Sequence, residues 1–467
     1  ELEKYGEIFG LKINKQKMKL LSKKLTKLQQ TELEKRTGLE TVKKIKYLGI
    51  WLMSQMKSLK GNNYDKLVQQ TKKELEFWAK LQLSLLGRIA AIKMTILPKF
   101  LYLFQTILIR LGKIFFDELN KITKKFIWLN KKPRIKLQSL QDVKSRGGMG
   151  LPNWELYYRA AVLIWTKDWI NLNNKRILNL EEHSLQKGWH AFLWETEMKK
   201  QQYFHRHLIR DSLLQNWIKI KKKHYLKIPT WLSPMDIIIH PNNLDLSKRL
   251  KYKDILDNNG NLKTMLELKE QGMQIDWWAY LQIQHRFRKD NKESGIYQKL
   301  QQLDKILTGP DTKNITKIYR YLLEVKFEEG VVKGCMVAWA QNIGHNINLI
   351  QWENMWNRKY KLTKSVAYRE NIYKMFYRWY LPPSRLAKMY PKMDPKYWKC
   401  KKETGTFYHV WWLCPEIQKY WQKIHHWLQE ITKTKIEIQP ELFLLGILNK
   451  EHEKDIKYYN ITYIDSC

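Results

Sequence analysis

Residues 77–102 read FWAKLQLSLLGRIAAIKMTILPKFLY, and on a helix they split into two faces. Leu85, Ile89, Ile92 and Ile96 recur at helical offsets, with Leu86 and Leu97 widening the apolar stripe. The other face carries Ser84, Gly87, Arg88, Ala91 and Thr95, nearly all small. Small residues on one side allow something large to approach the backbone: another packed helix, or a bulkier partner that meets Arg88 as a fixed positive charge. Lys93 falls inside the apolar arc, so its stem snorkels outward or its ammonium reaches a phosphate. Pro98 removes a backbone donor and is expected to kink the helix or to end it and begin another.

Around this stretch the composition is that of a folded but strongly basic chain. There are 467 residues, enough for two to four domains with real cores. With 85 Lys+Arg against 45 Asp+Glu the formal net charge is +40, which calls for a polyanionic partner, most commonly nucleic acid. A membrane surface is the competing polyanion. The most apolar piece, 100–116, is broken by Gln105, Arg110 and Lys113 and is too short to span a bilayer of about 18 or more apolar residues. Four cysteines in so long a chain argue for a reducing compartment and against a disulfide framework. The opening Glu-Leu-Glu-Lys, without methionine or signal peptide, is expected of a fragment of something longer.

Upstream, a short helix over Leu2–Phe9 leads through Gly10 to an alternating strand, Leu11–Asn14. Leu33–Ile50 reads as turn, strand and hairpin, with Ile45-Lys46-Tyr47-Leu48-Gly49-Ile50 as an apolar strand whose glycine admits another backbone. Residues 63–111 are helical in pattern. An amphipathic helix over Phe115–Trp128 leads into the basic run Lys131, Lys132, Arg134 and Lys136, which is either a solvated face or a phosphate contact. Gly147-Gly148-Met149-Gly150 lacks the following Lys-Ser/Thr of a nucleotide-binding loop. Leu156–Trp169 reads as a core helix.

Between 180 and 330, Trp189, Trp194, Trp217, Trp231, Trp277 and Trp278 are strewn among lysines. Such rings either stack on bases or anchor the core, and core anchors are the commoner case. Gly309-Pro310 is a plausible linker. Farther on, a helix bearing Tyr373, Phe376, Tyr377 and Tyr380 is expected to bury its rings while Arg369, Lys374 and Arg378 face outward.

Tyr47-Leu48-Gly49, the GRIAAIKMTILPK stretch, Gly147–Pro152 and the passage RWYLPP at 378–383 occur in an order that resembles LINE-type (non-LTR) retrotransposon reverse transcriptases. The resemblance runs from residue 1 to about 450. It implies a mainly α chain: the end of a palm with its β-hairpin over 1–58, a helical thumb over 59–180, a helical connector over 181–330 and a helical cysteine-motif region over 331–467. It implies that Leu48 and Gly49 grip a primer and that Arg88 and Lys93 lie along a template–primer duplex. The strand turn with two metal-binding aspartates, which this family places before the FGLKIN-like piece, is not found, so no residue is assigned to catalysis. Magnesium would belong to the intact parent enzyme only. The implied partners are RNA, an RNA–DNA duplex and the upstream half of the parent polyprotein, in a cytoplasmic ribonucleoprotein and the nucleus, with no membrane.

Cys400, His409 and Cys414 have metal-ligand spacing, but structural zinc takes four ligands. The family's further cysteine falls where this chain has Lys396, Tyr397 or Trp398. The alternatives are a zinc site completed by His425 or His426, a three-ligand site, and a decayed knuckle held by aromatic packing. In each case Lys396, Trp398, Lys399, Lys401 and Lys402 form a basic, aromatic surface suited to single-stranded RNA. A stand-alone basic helical RNA-binding or scaffold protein is the other reading of the whole chain.

Overall fold

The computed structural model describes residues 10, 14, 17–172, 188–194, 208–224, 227–238, 250–326, 330–362 and 365–447. The expected Leu2–Phe9 helix, the strand at 11–13 and Cys467 lie outside these residues. The described chain is mainly helical, with two two-stranded sheets near its N-terminus.

β1 (Lys19–Leu21) pairs in parallel with β2 (Glu40–Val42), and β3 (Lys44–Tyr47) pairs antiparallel with β4 (Ile50–Met53). Ile45–Ile50 is therefore not one strand: the chain reverses at Leu48-Gly49. Both residues have positive φ, 46° and 83°. That is the requirement of a two-residue hairpin turn whose twist matches its strands. Between β1 and β2 lies a helix, Lys27–Thr37, where turn and strand were expected from Leu33 onward. It buries no residue, so periodicity could not reveal it. A reciprocal Thr26–Gln29 capping box and left-handed Gly38 define its ends instead.

The stretch around residue 90 is helical, but not from Phe77. One helix ends at Trp78, and the next starts at Leu85 with the Ser84 hydroxyl accepting from Gly87 N–H. Pro98 ends nothing. A wide π turn, Ile92–Ile96, runs straight into the helix Leu97–Thr106. The wide turn accommodates the proline's missing N–H within an unbroken helical run.

The described chain forms two compact units. The first comprises residues 1–75, 98–119 and 154–322. Its core begins with Tyr64, whose ring meets Phe115 edge-on at 5.6 Å and whose hydroxyl reaches the carbonyls of Leu103 and Ile107 (2.9 and 2.7 Å). Leu103 O also accepts from Ile107 N–H and Ile107 O from Ile109 N–H, so the hydroxyl is a second donor to each carbonyl where the helix ends. Phe100 packs on Trp154, and Phe104 on Tyr158. A second cluster collects Trp169, Trp189, Trp217 and Trp231. Two of these buried indoles find acceptors: Trp217 donates to Leu193 O and Trp231 to Asp304. The expectation of core anchors thus holds for Trp189, Trp217 and Trp231, but Trp277 and Trp278 are 61% and 69% exposed. Gly309-Pro310 is no free linker, because Lys167 donates to Gly309 O and pairs with Asp311 at 2.7 Å.

The second unit comprises the described residues within 76–97, 120–153 and 323–447. Its centre is aromatic: Trp339, Trp352, Trp356, Tyr373 and Phe376 pack together. The glycine turn is locked into this centre. A Cβ on Gly147 would lie 2.6 Å from the Trp356 ring, and one on Gly148 would lie 1.9 Å from Asp142 O. Tyr377 donates to Gly147 O, and Trp352 donates to Arg146 O. The helix Val366–Phe376 stops short of Tyr380. Arg378 turns inward rather than outward, donating to Ala338 O and lying over the Trp339 ring. No described helix is long and apolar enough to cross a membrane.

A candidate metal centre and the placement of the basic residues

The local order around Cys400 comes from a tight hairpin. Lys396 pairs with Thr404, Tyr397 N–H donates to Glu403 O, and Lys401 N–H returns to Tyr397 O at 2.7 Å. Lys401 takes a left-handed conformation (φ 55°) to close the turn. Backbone N–H groups of Glu403 and Lys402 thereby face the Cys400 sulfur and draw its thiol down to about 7. His409 comes from a wide π turn, His409–Leu413, which follows directly. Cys414 caps the helix Pro415–Thr432, whose proline at the first turn needs no N–H partner.

These elements bring the three side chains together. The ligand atoms of Cys400, His409 and Cys414 all lie within 4.8 Å of one another, and Cys400 Sγ is 3.4 Å from His409 Nε2. His409 and Cys414 are buried, whereas Cys400 is partly accessible. The group can hold a metal ion. Thiolate and imidazole donors at this spacing suit a tetrahedral ion of borderline softness. Neither substitute ligand joins them: His425 Nε2 bonds to Ile436 O at 2.5 Å, and His426 lies 3.3 Å from Glu430 on the exposed side of its helix. Tyr397 fills one side, its ring edge-on to His409 at 5.8 Å.

Lys396, Trp398, Lys399, Lys401 and Lys402 are all exposed around this hairpin, and Trp398 is 61% accessible. The other basic candidates fare differently. Lys131 and Lys132 are exposed beyond the helix Lys113–Trp128. Arg134, also exposed, donates to Trp379 O at 2.7 Å and lies over the Trp379 ring, itself stacked on Trp128. Arg88 is half-buried. Its guanidinium donates to Leu83 O, and burial lowers its pKa, with neighbouring Glu370 opposing the change. Lys93 points at the glycine turn, and burial followed by repulsion from Lys144 lowers its pKa.

In the first unit Leu48 and Gly49 form the exposed tip of the β3–β4 hairpin, with Leu48 73% accessible. Tyr102 donates its hydroxyl to Leu48 O and holds the strained residue in place. A bulky residue at positive φ is uncommon and persists only when its surroundings impose it.

A feature the spacing of residues did not disclose is Lys359. It is fully buried against the Trp356 and Phe376 rings, and its Nζ has no hydrogen-bond partner among the described residues. Burial pushes its pKa well below the ordinary lysine value and pushes the neighbouring Cys335 thiol up to about 12. Lys359 follows Trp356 by three positions on one helix, a pattern indistinguishable in sequence from a lysine at a solvated helix edge. No protein-family model matches the chain.

Proposed function

We propose that this chain is the nucleic-acid-holding part of a LINE-type retrotransposon reverse transcriptase, binding template–primer and element RNA. Nucleotidyl transfer in this reading belongs to the upstream half of the parent polyprotein. The observation that carries it is the hairpin tip: Leu48 and Gly49 present an exposed, strained turn that Tyr102 clamps from a helix. Energy stored in an exposed apolar turn is expected where a partner seats against it. The +40 net charge and the exposed lysines around the metal trio support the same reading. Zinc is the ion assigned to Cys400, His409 and Cys414, holding the hairpin that displays Trp398 and its lysines.

Binding of a labelled RNA–DNA duplex by the full chain tests this. Neutralising several phosphates makes affinity fall about 10³–10⁵-fold between 50 and 200 mM salt. A flat salt profile, or no binding at low salt, overturns the proposal.

A further inference from the structure

The helix Trp277–Glu293 starts where Asp276 accepts from Ala279 N–H at 2.6 Å. Trp278, Gln282, His285 and Lys289 follow one another at offsets of four, three and four and so share a face. With Ile237 and Ile238 they line a cavity of about 460 Å³, a size suited to a small-molecule fragment rather than a protein segment.

Its chemistry is divided. At one end Trp278 offers a largely exposed ring. Neighbouring Trp277 instead stacks on Tyr280 at 6.1 Å and is not among the lining residues. In the wall, Gln282 Oε1 is buried without a hydrogen-bond partner, an acceptor that a bound group can satisfy. Toward the helix C-terminus His285 and Lys289 are exposed, with Arg288 and Lys292 beside them. Arg286 also lines the cavity, but its charge is matched by Asp290 at 2.8 Å, which in turn accepts from Tyr252 at 2.7 Å. That network builds a rigid wall and leaves the outward cations to a ligand.

We infer that this cavity is a binding site for one nucleotide of a single-stranded nucleic acid. The base stacks on Trp278, its polar edge meets Gln282, and the flanking phosphate lies against His285 and Lys289. An aromatic face, a single polar group and a cationic exit in this order match an unpaired base with its anionic backbone. A duplex is excluded as the occupant because paired bases have both faces covered by their neighbours. This site rests on the nucleic-acid-binding reading above and extends it to a region with no role otherwise assigned.

The test uses the full chain and a fluorescein-labelled twelve-residue oligouridylate, followed by anisotropy across a salt series. Trp278→Ala weakens binding about 5–150-fold, the range for losing one stacked base. Trp278→Phe keeps most of the affinity, and Trp277→Ala stays within about two-fold as the off-site control. Lys289→Glu weakens binding and lowers the log–log salt slope by about one. An oligouridylate carrying 5-iodouridine crosslinks to Trp278, read by peptide mass spectrometry, which reports position even if a variant folds poorly. Wild-type binding that Trp278→Ala leaves unchanged, with crosslinks mapping elsewhere, overturns the pocket and spares the general reading. Duplex binding without oligouridylate binding does the same. Failure to bind either nucleic acid overturns both.

Discussion

Zinc added to the purified, reduced chain should raise its melting temperature, and the structure sets the scale. Tetrahedral bonds of about 2.3 Å to sulfur and about 2.0 Å to nitrogen place ligand atoms roughly 3.5–3.8 Å apart. Cys400 Sγ and His409 Nε2 already stand at 3.4 Å, and the remaining pairs lie within 4.8 Å. Closing the trio therefore asks for movements of about 1 Å, within reach of side-chain rotation alone. Zinc at a hundred times its dissociation constant then stabilises the folded state by about 2.7 kcal/mol. For a unit of this size that corresponds to a rise of about 5–11 °C. The assay is a thermal melt with chelator or with zinc, paired with metal analysis for one ion per chain. Cys414→Ser and His409→Ala should abolish the shift, while an alanine at His425, which is engaged with Ile436 O, should leave it intact. An equal shift in wild type and Cys414→Ser would falsify the site. A shift lost in the His425 variant would show that the ligand set has been misread.

Two further outcomes follow from particular side chains. Lys396 opens the hairpin opposite Thr404, so Lys396→Cys should supply a fourth ligand, a third thiolate, and tighten zinc at least about ten-fold in a chelator competition, in line with a closed four-ligand site; unchanged competition would mean the position does not reach the trio. Burial lowers the Lys359 pKa well below the ordinary lysine value. The unfolded chain binds a proton that the fold does not, from the depressed value up to the ordinary one near 10.4. Stability should therefore rise with pH through that window, and the cost is fully present below it. Lys359→Met should remove the cost, raising stability at neutral pH and flattening the alkaline rise in urea titrations. A less stable methionine variant would show that the amine has a partner worth keeping.

Much of the candidate metal site is legible in the sequence. Cys400, His409 and Cys414 are few enough, and close enough in sequence, that hairpin and helix start had little choice but to gather them. The helical stretch after residue 84 was equally readable, since Leu85, Ile89, Ile92 and Ile96 are all buried as their spacing requires. Local signals failed where the deciding contact was remote. Arg378 looked like an outward charge, but Trp339 and Ala338 lie some forty positions earlier and draw it in. Trp277 and Trp278 looked like the other tryptophans of their region, because exposure depends on what packs above a ring and not on the ring.

What the amino-acid order determined by itself was charge, helical periodicity and the ligand trio, all properties of residues near one another in the chain. Only the tertiary structure decided that Pro98 continues a helix, that Lys359 is buried with no hydrogen-bond partner among the described residues, and that Trp278 faces a cavity beside His285 and Lys289. Burial and pairing arise from elements distant in sequence, and periodicity within one element cannot specify what its neighbours will cover.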